Sequence, residues 1–354
     1  MRVALLCSKG LEDAVLQELA FRFNLNGEKR DGVVLVEANN EEQVIALCYL
    51  MQTTTKIVLV LDEGTFPQIS VGDANAWVEE SFAVRSNNQD VEGDFGSLIQ
   101  GKVDLTNPHT SFFAYVIDET FIFGIDLLGF DAGKRSYKLF QHNDGLKGTT
   151  AAAMLFLAGY TGEQTLLDPF CGSGMVAIEA AHISRERPIN YYNKNNFALL
   201  KLKGFKDVAE RVFQELDNKE HEGAKIYAFA DNQKTIRNAE KNAKLAGVNK
   251  HITFSRQDIE WLDTKCEEGE IELIVTNIIE PSRFLAEKKI NKIYQDFFYV
   301  LDYILSGKVL PLMRNPPALV TMAEEKGYET SILEFQQGKT TLFLVTLKKE
   351  RTSP

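Results

Sequence analysis

The sequence predicts an α/β protein whose C-terminal part is a doubly wound parallel sheet, preceded by smaller α+β units. Three observations point there. From about residue 150 onward, short β-rich runs alternate with helical stretches, the order that lays parallel strands side by side under covering helices. One run, Leu166-Leu167-Asp168, ends in a glycine-rich turn that leads straight into a helix. The chain finishes on two β-rich runs, 328–335 and 340–348, joined by Gln-Gln-Gly, which predicts an antiparallel hairpin closing the parallel sheet.

In chain order, residues 3–7 read as a short strand. Gly10-Leu11-Glu12 opens a helix with apolar positions at Leu11, Val15, Leu16 and Leu19. Residues 32–37 (GVVLVE) predict a second strand, 40–51 a second amphipathic helix and 56–61 (KIVLVL) a third strand. A β-α-β-α-β order in this span suggests a small ferredoxin-like unit. Residues 73–80 predict a helix, 81–85 a strand and 94–100 a short helix, with the polar run 87–96 reading as a loop. The runs 112–117 (FFAYVI) and 120–127 (TFIFGIDL), separated by Asp118-Glu119, predict a hairpin. This block carries no catalytic character and looks built to bind or to position.

The connector 130–148 carries Lys134, Arg135, Lys138 and Lys147, a local basic excess in an acidic chain. Two readings stand: a solvated linker, or a phosphate-contacting surface with Tyr137 and Phe140 nearby. Beyond it, 149–159 predicts a helix. Strands follow at 165–167, 225–230, 252–255, 271–275 and 308–313, with helices at 175–185, 232–246 and 291–305. The polar stretch 190–223 is expected to hold helix and loop near the target site.

At 354 residues the chain is long enough for two or three domains. A net charge of −11 weighs against a nucleic-acid partner, although a basic face can exist on an acidic protein. Cys7, Cys48, Cys171 and Cys266 contain no Cys-x-x-Cys pair, and His109, His142, His182, His221 and His251 are not paired at ligand spacing, so no metal site is expected. The opening MRVALLCSKGLEDAVLQEL turns acidic too early for a signal peptide, and no apolar run approaches the roughly 20 residues that cross a bilayer. The expectation is a soluble, cytoplasmic protein without a membrane partner.

The glycine turn Pro169-Phe170-Cys171-Gly172-Ser173-Gly174 is the strongest local signal. Gly172 and Gly174 allow backbone conformations that a Cβ would block, so the main chain can lie close to a ligand. No G-x-G-x-x-G follows a strand and no Gly-Lys-Ser/Thr is present, which takes support from dinucleotide and nucleoside-triphosphate readings. Asp231 ends IYAFAD, where a carboxylate can accept both hydroxyls of a ribose. Asp258, in SRQDIEWL, could accept from an adenine amine, and Asn277 ends IELIVTN. Each alone is a common cap or turn residue. Four polar residues in order, one after each successive strand, predict an S-adenosylmethionine site on a methyltransferase fold. The predicted cofactor set is Asp168, Phe170, Cys171, Gly172, Ser173, Gly174, Asp231, Asn232, Asp258 and Ile259, with Asn277 as the catalytic candidate.

On these residues the chain resembles the THUMP-domain class of tRNA guanine-N2 methyltransferases. SKGLEDAVLQEL is similar to the family's N-terminal ferredoxin-like domain. The stretch FFAYVIDETFIFGIDLLGFDAGKRSYKLFQHNDGLKGTTAAAML is similar to the end of a THUMP domain running into the catalytic domain, and DPFCGSG followed by IEAA is the most specific match. The resemblance implies a ferredoxin-like domain at 1–65, a THUMP domain at 66–130, a basic linker at 131–149 and a Rossmann-like methyltransferase domain at 150–350. It also implies that Asp168, Gly172, Ser173 and Gly174 surround the methionine part of the cofactor. Asp231 would hold the ribose and Asp258 the adenine, while the THUMP unit would hold the 3′ end of a tRNA modified in its acceptor-stem region. Phe197 resembles a family position close to the substrate.

One departure stands out. The family pattern after the fourth strand is Asn or Asp, two residues usually including Pro, then an aromatic that stacks on a flipped base. This chain reads Asn277-Ile278-Ile279-Glu280-Pro281. Glu280 could hold a guanine edge instead, or Pro281 and Phe284 could supply the missing surface. The competing expectation is a catalytically degenerate tRNA-binding protein that keeps the fold.

Overall fold

The computed structural model describes residues 1–141, 145–219, 221–281 and 286–349. It divides into two compact units, the first made of Met1–Cys7, Val15–Gly133 and Pro188–Lys219, the second of Ser8–Ala14, Lys134–Arg187 and Glu220–Pro354. No described helix is long and apolar enough to cross a membrane.

The first unit begins β1 (Arg2–Leu6), α1 (Glu12–Phe23), β2 (Glu28–Arg30), β3 (Val33–Glu37), α2 (Glu41–Leu50) and β4 (Lys56–Thr65). Its sheet order β2-β3-β1-β4, antiparallel throughout, is the expected ferredoxin-like arrangement. The sequence reading lacks β2 because Glu-Lys-Arg carries no apolar alternation. The sheet then continues through β5 (Ser81–Ser86), β6 (Lys102–Val103), β7 (Thr110–Ile117) and β8 (Thr120–Asp126), with the short helix α3 (Glu92–Ser97) between β5 and β6. The full order is β2-β3-β1-β4-β8-β7-β5-β6. The segments 1–65 and 66–130 therefore share one sheet. The reason is β4, ten residues long, which pairs through residues 56–59 with β1 and through residues 58–65 with β8. The hairpin of β7 and β8 turns at Asp118, whose φ of 51° a short polar side chain tolerates. The helix expected at 73–80 shrinks to a single 3₁₀ turn, Ala74–Trp77, in which only Ala74 is buried and no side chain caps the start.

The second unit runs α4 (Gly148–Leu157), β9 (Leu166–Asp168) and α5 (Met175–Ser184). After an excursion carrying α6 (Phe205–Asp217) come β10 (Ile226–Ala230), α7 (Gln233–Ala246), β11 (Thr253–Arg256), β12 (Ile271–Asn277), α8 (Glu287–Ile304), β13 (Leu305–Met313), α9 (Pro317–Glu325), β14 (Tyr328–Gln337) and β15 (Thr340–Lys349). The sheet order is β11-β10-β9-β12-β13-β15-β14. The first five strands are parallel, and β15 slots antiparallel between β13 and β14. The predicted doubly wound sheet with a terminal antiparallel hairpin is what forms.

The excursion corrects an expectation. Pro188–Lys219 belongs to the first unit, where the apolar face of α6 (Phe205, Ala209, Val212, Phe213, Leu216) is buried and packs on α2. The Tyr49 ring of α2 lies 4.6 Å from Phe213, and its hydroxyl donates to Asp217 at 2.5 Å. Phe197, placed near the substrate by resemblance, is a core ring between Tyr49, Phe130 and Phe213, with 2 % of its surface exposed. Burial among apolar rings leaves it no face for a nucleotide.

A buried carboxylate ties the first unit's elements together. Glu18 of α1 accepts from the amides of Gln52 (2.8 Å) and Thr53 (2.9 Å) and from the Thr53 hydroxyl (2.7 Å). It also pairs with Arg22 at 3.0 Å, and both side chains are buried. Removing one member of such a network leaves the others unsatisfied. Glu18→Ala is expected to destabilise the first unit by about 3–5 kcal/mol, measured as a drop in the urea midpoint against the parent chain.

Candidate active site

Because β9, β10, β11 and β12 are parallel, their C-terminal ends share one edge of the second sheet, and strand order reverses on either side of β9. Open α/β sheets form their ligand crevice at that point. Register aligns the four polar residues there. Asp168, the last residue of β9, faces Ala228 of β10, and Asp231 follows β10 directly. Asp258 lies two residues past β11, and Asn277 ends β12. The edge that the sequence order implied is thus a physical edge.

The turn after β9 is held by its own backbone. Cys171 N–H donates to the Phe229 carbonyl at 2.9 Å, and Gly174 N–H to the Cys171 carbonyl at 2.6 Å. Gly172 (φ 49°) and Gly174 (φ 82°) both take left-handed conformations that favour glycine. A Cβ on Gly174 would sit 3.0 Å from Ala239 Cβ, so this glycine also lets the turn pack against α7. Having no side chain, Gly174 cannot cap α5, the position where a helix presents amides to a ligand.

Asp168 is almost wholly buried. Its Oδ1 accepts from the Thr276 hydroxyl at 2.6 Å and from Phe170 N–H at 3.3 Å. One carboxylate therefore ties the glycine turn to the residue immediately before Asn277. Asp231 and Asp258 are exposed, as ligand-facing carboxylates would be. Asn232 caps α7 by accepting from Thr235 N–H (2.9 Å), while its amide donates to Asp231 Oδ1 (2.9 Å), which orients that carboxylate. Phe170 is half-buried against Phe297, Cys171 is buried, and half-buried Ile259 packs on the core around Leu262 and Phe229. Asn277 is half-buried, and the next residue, Ile278, donates to the Leu312 carbonyl at 3.1 Å.

Two residues that the sequence reading lacked complete the arrangement. Thr276 passes in sequence for an ordinary β-former. Asn242 sits within α7, buried, and makes three bonds. Its Oδ1 accepts from Phe140 N–H (2.9 Å), and its Nδ2 donates to the carbonyls of Phe140 (2.8 Å) and Ser173 (2.9 Å). It thereby pins the connector to the glycine turn. An asparagine in a helix interior is an unfavoured choice, and that was the available signal.

The connector itself needs correction. Arg135, expected on an RNA-facing surface, is buried with Glu179 of α5, at 2.8 Å and 3.1 Å through two nitrogens. Tyr137 donates its hydroxyl to the same carboxylate. Burial pushes the Tyr137 phenol well up, which keeps it a donor. A guanidinium spent on a buried carboxylate is not offered to a phosphate. Lys138 is half-buried and donates to the Leu146 carbonyl, whereas Lys134 and Lys147 are exposed. Glu280 also differs from expectation: its carboxylate accepts from the backbone of Arg314 and Asn315 and so is engaged within the protein. His142 and Phe284 lie outside the described residues.

A parallel sheet of this order, with an inserted antiparallel final strand and a glycine turn at its switch point, defines a Rossmann-like methyltransferase domain. A family model, UPF0020 (RMKL-like, methyltransferase domain), matches residues 135–343, and the chain belongs to that family. It is similar to a tRNA (guanine(6)-N2)-methyltransferase of Methanocaldococcus jannaschii, with 27 % identity over 80 % of each chain. It is also similar to the ribosomal RNA large subunit methyltransferase K/L of Vibrio parahaemolyticus, with 26 % identity over 82 % of this chain and 45 % of that one, so it spans less than half of that relative. Among solved structures, SMU.472, named as a methyltransferase and complexed with SAH, shares the fold with a TM-score of 0.79 at 17 % identity, covering 99 % of each chain.

The Thr276–Asp168 bond yields a direct test. Thr276→Val keeps the shape and leaves a buried carboxylate short of a donor. The expected loss is about 1–3 kcal/mol of stability, read from urea unfolding, and an unchanged midpoint would mean that the bond does not form.

Proposed function

We propose that this chain is an S-adenosylmethionine-dependent RNA methyltransferase that methylates the N2 amine of a guanine in the acceptor-stem region of tRNA. The observation that carries the reading is the single edge on which Asp168, Asp231, Asp258 and Asn277 follow successive parallel strands. Membership of a methyltransferase-domain family supports the reaction class, and the activity named for the M. jannaschii relative supports the guanine amine and tRNA.

The residues present fit the cofactor. The left-handed glycines Gly172 and Gly174 leave room for the backbone of Cys171, Ser173 and the start of α5 to hold the methionine part, and Asp168 and Phe170 would complete that end of the site. Exposed Asp231, oriented by Asn232, suits the two ribose hydroxyls. Asp258 suits the adenine amine, with Ile259 against the ring. When bound, S-adenosylmethionine supplies an electrophilic methyl on its sulfonium.

A guanine amine is weakly basic, so the protein's task is orientation more than proton removal. Asn277 accepts a hydrogen bond from the amine through its side-chain oxygen and turns the nitrogen lone pair toward the methyl. In this reading the first unit contains the THUMP domain at 66–130 and holds the tRNA 3′ end, a positioning role that needs no chemistry. Exposed Lys134 and Lys147 are the connector cations offered to phosphates.

A second reading keeps one specific observation in its favour. Ile279 and Glu280 occupy the place of the expected proline and stacking aromatic, which favours a tRNA-binding protein without efficient transfer. The deciding experiment is transfer of labelled methyl from S-adenosylmethionine to unmodified tRNA and, in parallel, to large-subunit ribosomal RNA, with nucleoside analysis. N2-methylguanosine in tRNA that disappears with Asn277→Ala is the expected result. Binding of both cofactor and tRNA without transfer would leave the binding-protein reading in its place, and methylation of ribosomal RNA alone would replace the substrate. Asp231→Ala is expected to weaken cofactor affinity by about 1.5–3 kcal/mol in calorimetry, and unchanged affinity would sink the ribose assignment.

A further inference from the structure

The residue that breaks the expected pattern after Asn277 has a task of its own. The Arg314 amide donates to both oxygens of Glu280, at 3.0 Å and 2.9 Å, and the Asn315 amide donates to Oε1 at 2.9 Å. These amides lie one and two residues past the end of β13, just before α9. Bonds to an ionised acceptor are roughly twice as strong as neutral ones. The same loop is held at two further points. Ile278 N–H donates to the Leu312 carbonyl at 3.1 Å, and the Tyr294 hydroxyl on α8 donates to the Ile279 carbonyl at 2.8 Å. Burial pushes the Tyr294 phenol up, so it remains a donor. Residues 278, 279 and 280 are thus each tied to the end of β13 or to α8.

We propose that Glu280 is a positioning residue: by binding the Arg314 and Asn315 amides it fixes residues 278–280 after β12, so that Asn277 is set in direction before a base arrives. The proposal rests on the reading of Asn277 as the group that orients the target amine. It explains the departure from the resembled pattern, since a position that carries a stacking ring there is used here to hold the backbone. A carboxylate already accepting three hydrogen bonds from amides is poorly placed to read a base edge as well. Reaction geometry tolerates little error, and a misplacement of about 1 Å can cost about 100-fold in rate.

The test compares Glu280→Ala, Glu280→Gln and Glu280→Tyr in the full chain by amide hydrogen exchange and by methyl-transfer kinetics. Glutamine keeps Oε1, the oxygen shared by both amides, whereas alanine removes both acceptors and tyrosine supplies the ring without the clamp. For Glu280→Ala we expect exchange at Arg314 and Asn315 to rise by about 10-fold. Its kcat should fall by about 10-fold or more, with the KM for S-adenosylmethionine unchanged. Glu280→Gln should recover most of both effects, and Glu280→Tyr should behave like the alanine variant. Unchanged exchange in Glu280→Ala, unchanged kcat despite faster exchange, or a tyrosine variant faster than the parent would each overturn the proposal. A parent chain that transfers no methyl to any RNA would count against the guanine-N2 reading alone. The exchange comparison would still decide the clamp, with raised exchange supporting it and unchanged exchange overturning it.

Discussion

The candidate site depends on the parallel pairing of one short strand. β9 is three residues long and fully buried, and it lies between β10 and β12, where the strand order reverses. That pairing brings the ends of β10, β9 and β12 to one edge, the place where open α/β sheets bind their ligands. The Asp168–Thr276 bond closes the same junction from the side-chain side, so the turn and the end of β12 are coupled through one buried carboxylate. Displacing β9 by a residue would move Asp168 out of register with Asp231 on one side and with Thr276 and Asn277 on the other.

Buried polar nodes hold the segments that regular hydrogen bonding cannot reach. Glu18 gathers the loop after α2, and Glu179 gathers the connector through Arg135 and Tyr137. Asn242 joins that connector to the Ser173 carbonyl. Each satisfies several donors or acceptors at once, which makes it costly to break and specific in geometry. The connector emerges less as a charged surface than as a strap fastened to α5 and α7, with only part of its basic character left for solvent or RNA. Glu280 follows the same logic at the end of β12, where a charged side chain holds backbone amides that no strand pairs.

Much of the second unit was legible in the sequence, because most of its strands contain apolar runs bounded by glycines and acids and its helices α7 and α8 are amphipathic. Asp168, Gly172, Gly174, Asp231, Asp258 and Asn277 were legible for a related reason: a residue that ends a strand or permits a left-handed backbone announces its position locally. The failures were equally physical. β2 has no apolar residue to announce it, and the charged face of Arg135 reads as surface until Glu179 is seen beside it. Thr276 acts through a partner 108 residues distant, and Asn242 through partners 102 and 69 residues distant.

By itself, then, the sequence determined the order of most elements, the glycine turn, the terminal hairpin and the residues at strand ends, since propensity, periodicity and backbone freedom are local properties. Tertiary structure alone decided that 1–65 and 66–130 share one sheet, that Pro188–Lys219 covers the first unit, and that Arg135 and Glu280 face protein groups. Those outcomes depend on which distant surfaces meet. A charge or an apolar face carries no record of its partner until the chain has folded.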